Sequence, residues 1–163
     1  LFKNSRKRDL SKLFQILKEE PEIGTLVNGK INDEIEFIGL NWVAGQGEKA
    51  GEVRLSFYWR CLKETSNNYN PFLGLIDSAG RVIKVDKKYM CYRMHPTCEW
   101  QKDEIIREDY WYILPSELPK GNYYFKLEMF EENKENIVKI VSDKKRLFDK
   151  GGSLIFLKFE KND

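Results

Sequence analysis

Cys91, His95 and Cys98 fall within eight residues of one another, and His95 is the only histidine of the chain. Thiolate and imidazole at that spacing suggest three kinds of chemistry. Zinc is the first, but a structural zinc site wants four ligands, usually arranged in Cys-x2-Cys pairs. Here only Cys61, or a carboxylate such as Asp86 or Asp103, is left to complete the set, and Cys61 is expected to face a core. No metal site is expected. The second is a Cys91–Cys98 disulfide closing the loop, which would suit an oxidising compartment; packed or free thiols are the alternative. With three cysteines in all, one stays unpaired in either case. The third is nucleophilic catalysis, which needs a base at hydrogen-bond distance from its nucleophile. Cys91 and Cys98 are the nearby candidates for His95, and no motif frames either of them. Acidic pairs could be drawn anywhere from 26 Asp and Glu, so they say nothing of glycoside hydrolysis. No phosphate-binding loop, dinucleotide fingerprint or calcium loop occurs. We therefore expect no catalytic residues, no cofactor and no enzymatic activity.

The same loop, Lys87 to Trp100, could instead bind a ligand. It holds Tyr89, Tyr92, Arg93, His95 and Trp100, with Gln101 just beyond. A sugar ring needs a planar aromatic to stack on and polar groups beside it, and these residues supply both. The competing reading of Trp100 is that Pro96-Thr97-x-x-Trp100 folds the loop over the end of a core.

A rigid scaffold must carry that loop, and the sequence indicates a β-sheet one. Val53, Leu55, Phe57, Trp59 and Cys61 alternate with polar partners, so one face is buried and the other wet. Tyr123, Phe125, Leu127 and Met129 repeat the pattern. Further strands are expected at Gly24–Val27, Ile35–Trp42, Pro71–Asp77, Arg81–Asp86, Glu104–Leu114, Gly121–Phe130, Asn136–Val141 and Ser153–Phe159. Ser78-Ala79-Gly80 reads as a hairpin turn flanked by Asp77 and Asp86, both expected to serve turn and loop hydrogen bonds. Leu114-Pro115 reads as a strand stop, and 45–51 and 64–70 as polar loops. Leu10, Leu13, Phe14 and Leu17 recur at helical spacing. They predict one amphipathic helix near Asp9 to Glu20, capped by Asp9 or Ser5 and ended by Pro21.

The fold class is thus mainly β: a two-sheet antiparallel β-sandwich, immunoglobulin-like or jelly-roll-like, with one short N-terminal helix. Residues 1–22 form the basic start and helix, and 23–160 the sandwich. The 163 residues suffice for one domain with a real core, and 13% aromatics favour strands. The net charge of +2 gives no field to attract nucleic acid. No apolar run is long enough for a membrane span. Leu1 is no initiator, which suggests a mature form or a piece of a longer protein.

Short motifs then line up in order: Glu36-Phe37-Ile38-Gly39-Leu40, Arg54 to Arg60, Pro71 to Val82, Asp86, Pro96-Thr97-x-x-Trp100, Glu104-Ile105-Ile106, Tyr110, Leu114-Pro115, and Leu118-Pro119-x-Gly121-x-Tyr123. Across residues 35 to 130 this order resembles the soluble C-terminal β-sandwich of bacterial membrane glycosyltransferases of the dolichyl-phosphate-mannose mannosyltransferase type and related uncharacterised membrane proteins. The resemblance implies a non-catalytic accessory domain of a bacterial envelope protein, located in the periplasm or at the cell surface. Its partners would be a glycan, or the membrane-embedded domain of the same longer protein. Two alternatives stay open. One is a protein-interaction or structural module docking on a membrane or partner domain. The other, by fold analogy, is a cytoplasmic setting like that of the polysaccharide-binding sandwich at the end of export ATPases. The basic residues Lys3 to Arg8 argue against a span just before an external domain. A coplanar, exposed aromatic pair would favour glycan binding, and a broad apolar face would favour docking.

Overall fold

A computed structural model describes residues 12–45 and 51–161. Among the described residues there are eleven strands: β1 (Phe14–Leu17), β2 (Thr25–Ile31), β3 (Ile35–Ala44), β4 (Glu52–Cys61), β5 (Tyr69–Asp77), β6 (Val82–Lys87), β7 (Ile105–Ile113), β8 (Gly121–Glu131), β9 (Asn136–Val138), β10 (Ile140–Val141) and β11 (Leu154–Lys161). They form two antiparallel sheets. The first runs β1-β7-β4-β3-β2-β10. The second runs β11-β8-β5-β6, with β9 on the same edge of β8 as β11. The protein is a β-sandwich.

Alternation along the strands decides what lies between the sheets. Val53, Leu55, Phe57, Trp59 and Cys61 of β4 all point inward, as do Tyr123, Phe125, Leu127 and Met129 of β8. Phe57 is the centre of the aromatic core, edge-on to Phe37 at 5.5 Å and to Tyr110 at 5.5 Å. Each fully buried Phe or Leu contributes roughly 1.5–3 kcal/mol of transfer free energy, which sets the register. The turn after β5 is as the sequence indicates. Gly80 adopts φ +80°, and Asp77 Oδ1 accepts from the backbone N–H groups of Ala79 and Arg81, both at 2.9 Å. Asp86 does not serve a turn; it lies in β6 and pairs with Lys84 (3.5 Å) and Lys88 (3.7 Å).

Two further expectations are corrected. The N-terminal helix is not formed where the chain is described: Phe14–Leu17 is an edge strand, with Phe14 opposite Glu108 and Leu17 opposite Ile105. Four apolar residues at helical spacing make only a marginal helix, whereas the open edge of β7 offers unpaired backbone groups that a strand satisfies. Leu10 and the expected caps Ser5 and Asp9 lie outside the described residues. The strand expected at Asn136–Val141 is in fact two. Val138 belongs to the second sheet and Ile140 to the first, so the chain crosses the sandwich at Lys139 with both apolar neighbours buried. A small outer cluster of Ile38, Tyr58 and Ile105 is covered by Leu17 and Ile23, so the segment leading into β2 protects the wet side of the first sheet.

Candidate functional site

The loop between β6 and β7 divides the expected ligand residues into two groups. Its second half is a plug. Trp100 is 1% exposed, and its indole N–H donates to the backbone oxygen of His95 at 2.9 Å. Thr97 Oγ1 donates to the Asn67 carbonyl at 2.7 Å and accepts from the Tyr69 N–H at 3.0 Å, which ties the loop down. The stacking role expected of Trp100 is therefore corrected, because neither ring face is open. His95 hydrogen-bonds through Nε2 to Glu104 Oε1 at 2.8 Å and stacks on Phe14, 6.2 Å between centroids. Tyr92 is half-buried, with its hydroxyl donating to the Asp109 carbonyl.

The cysteines do not bridge. Cys91 and Cys61 are buried and Cys98 is exposed, all three as free thiols. Cys91 turns into the core beside Glu108, away from the surface that Cys98 occupies, and burial pushes its thiol well above the usual range. No group of three or more His, Cys, Asp or Glu side chains is placed to hold a metal among the described residues.

The first half of the loop is held in an unusual shape. Cys91, Tyr92 and Arg93 have φ values of 48°, 55° and 65°, a left-handed turn made of non-glycine residues. Left-handed backbone costs such residues roughly 1–2 kcal/mol each. The compensation comes from buried polar groups. Asn70 Oδ1 accepts from the Met90 N–H, and Glu108 Oε2 accepts from the Cys91 N–H, both at 2.9 Å. Glu108 is fully buried, and its other partners are Trp59 Nε1 at 2.8 Å on Oε1 and the Tyr110 hydroxyl at 2.6 Å on Oε2. Loss of hydration raises its pKa to about 7, and the hydrogen bonds from Tyr110, Cys91 and Trp59 oppose that shift. The signal for this residue is in the sequence: in Ile106, Glu108, Tyr110 and Tyr112, a carboxylate interrupts the inward face of β7.

The turn presents Arg93 and Tyr89 outward. The Arg93 guanidinium sits 3.7 Å from the centre of the Tyr89 ring. Together they form one wall of a groove of about 470 Å³ on the outer face of the second sheet. Its floor is Phe72 of β5 and Phe130 of β8, two partly exposed rings 5.1 Å apart and within 14° of parallel. Asn70, Lys87, Lys88, Glu132 and Glu135 complete the lining. A second hollow of about 400 Å³ continues along the sheet past Gly74, Val85 and Ile137, and Phe72 and Lys87 belong to both. Gly74 keeps this stretch low, since its missing side chain lies between the outward-facing Lys126 and Val85. Of the residues expected at a site, Tyr89 and Arg93 are brought to the groove, while Tyr92, His95 and Trp100 support the loop from behind. Phe72 and Phe130 were open to sequence reasoning as well: once Phe125, Leu127 and Met129 face inward, Phe130 must face out.

The sequence matches no protein-family profile and no curated protein. Among solved structures, the C-terminal domain of wzt is similar at 10% identity with a TM-score of 0.49, over 86% of this chain and 85% of that one. A likeness of that degree identifies neither a family nor a ligand.

Proposed function

We propose that this chain is a non-catalytic carbohydrate-recognising module that takes an extended glycan along the trough on its outer sheet. The observation that carries this reading is the partly exposed pair Phe72 and Phe130, two near-parallel rings stacked on each other at 5.1 Å and bordered by hydrogen-bonding and charged side chains. Pyranose rings present apolar C–H faces that stack on aromatic planes, while their hydroxyls need the surrounding amide, carboxylate and ammonium groups. Two hollows that share Phe72 suit a chain of several rings better than one compact metabolite. Glycan-array screening followed by titration of the best oligosaccharide tests the reading. Phe72→Ala should weaken binding by roughly tenfold or more while leaving the melting temperature within a few degrees. Wild-type protein that binds no glycan would overturn it.

A second reading, docking on a membrane-embedded or partner domain, has its own support. Val43, Trp111 and Ile113 are 65%, 37% and 68% exposed, and they lie near one another on the outer face of the first sheet. The two roles use different faces and are compatible. We place the module in the bacterial envelope, outside the cytoplasmic membrane as part of a membrane protein, on the strength of the motif order. A reporter fusion in the full-length protein that signals from the cytoplasm would reverse that placement.

A further inference from the structure

We infer that the trough selects acidic glycans, with a sugar carboxylate seated on Arg93 and Lys87; this rests on the carbohydrate reading and narrows it. Arg93 lies over Tyr89, and Lys87 lies over Phe72 with its Nζ 5.4 Å from the ring centre. Among the described residues neither cation has a carboxylate partner. The nearest acid in sequence, Asp86, is already shared by Lys84 and Lys88. A cation resting on an aromatic face keeps N–H groups free for an anion, and the guanidinium offers two in a plane that matches a carboxylate. These cations lie on aromatic rings of the same groove, so an acidic sugar that enters it would meet both.

The groove also carries two acidic groups, Glu132 and Glu135, from the segment that follows β8. Lys87 lies opposite Phe72 and Phe72 opposite Glu128, whereas Glu132 is the first residue after β8, two beyond Phe130. Glu132 is held there by Asn70 Nδ2 at 2.5 Å. A sugar carboxylate set against Glu132 would be repelled, whereas a sugar hydroxyl would donate to it. The sugar carboxylate is therefore seated on the cations and off Glu132, to which hydroxyls donate. The strained turn at residues 91–93 fits this role, because it fixes the backbone that carries Arg93 before any ligand arrives.

The test uses matched probes, oligogalacturonate and oligoglucuronate against their methyl esters, which keep the ring and remove the charge. We expect the acid forms to bind on the order of tenfold tighter than the esters, with the preference shrinking as salt is raised. Arg93→Asn and Lys87→Met should bring the acid-to-ester affinity ratio to about one, whatever each change does to ester binding itself; Asn tolerates the left-handed backbone at residue 93. Equal binding of acid and ester, abolished by Phe72→Ala, would overturn the acidic assignment and leave the carbohydrate reading standing. Failure of all four probes alongside a neutral array hit sensitive to Phe72→Ala would have the same meaning. No binding by any probe or array glycan would remove both.

Discussion

Replacing Glu108 with Gln should alter how stability depends on pH in a way that follows from its three donors. Burial holds the folded carboxyl at about 7, against an ordinary value of 4.5. Between those values the native state keeps a proton that the unfolded chain has released. Stability therefore falls as pH rises through the interval, and the loss is complete above about 7. At 1.36 kcal/mol per unit, the interval corresponds to about 3 kcal/mol. The amide of the Glu108→Gln variant cannot charge, so this loss disappears. It introduces a different cost. Trp59 Nε1 and the Cys91 N–H approach different carboxylate oxygens and both can only donate. Whichever way the amide turns, its NH2 group faces one of them. An orphaned buried donor costs about 1–3 kcal/mol. The variant should accordingly be less stable than the parent at pH 5, by up to about 3 kcal/mol, and equal to it or up to about 2 kcal/mol more stable at pH 8. Urea denaturation of both proteins at pH 5, 6, 7 and 8 measures the difference directly, and titrations elsewhere cancel between them. Parallel pH curves would refute the reasoning, since they would mean that Glu108 does not titrate in this range.

Other perturbations probe other parts of the fold. With Cys61 and Cys91 buried, a maleimide should label Cys98 alone in native, unreduced protein, as read by peptide mass mapping; a linked Cys91–Cys98 peptide would contradict the free thiols. Trp100→Ala should cost about 3–5 kcal/mol in chemical denaturation, as for a core aromatic, because Trp100 closes the end of the sandwich. A β-carbon at Gly39 would come within 2.1 Å of the Thr25 carbonyl oxygen and 2.8 Å of Ile23 Cγ2. Gly39→Ala should therefore lower stability by about 1–3 kcal/mol or more, seen as a lower urea midpoint; an unchanged midpoint would show that β2 and β3 can separate there at no cost.

Much of the sandwich was legible because one-sided burial writes itself as alternation. β4 and β8 announce both their strands and their inward faces, and the Leu114-Pro115 stop and the Asp77–Gly80 turn follow from local stereochemistry. β1 was misread for the converse reason. A short edge strand is specified by the open backbone of β7, far along the chain, and four apolar side chains fit either period. Lys139 is a similar case: the pattern of residues 136–141 is continuous, and only the packing of two sheets shows that the strand changes sides. At the site, composition drew attention to the loop but not to which of its side chains face water. Tyr89 and Arg93 do; Trp100 and Tyr92 are needed to hold them. Phe72 and Phe130 were harder to pair because their strands meet only in the folded sheet, although their outward positions could be inferred from neighbours that face the core. Glu108 could have been picked out as a charge on an apolar face, but its hold on the Cys91 turn depends on a contact between residues 17 apart.

The central claim is that ligand meets this protein on the outer face of the second sheet. Titrating isotope-labelled protein with the strongest oligosaccharide from an array, and following backbone amide shifts by NMR, tests it directly. The largest changes should fall at Phe72, Gly74, Lys87, Tyr89, Arg93 and Phe130. Shifts concentrated instead at Val43, Trp111 and Ile113 of the opposite sheet, or no saturable shift at all, would contradict the account.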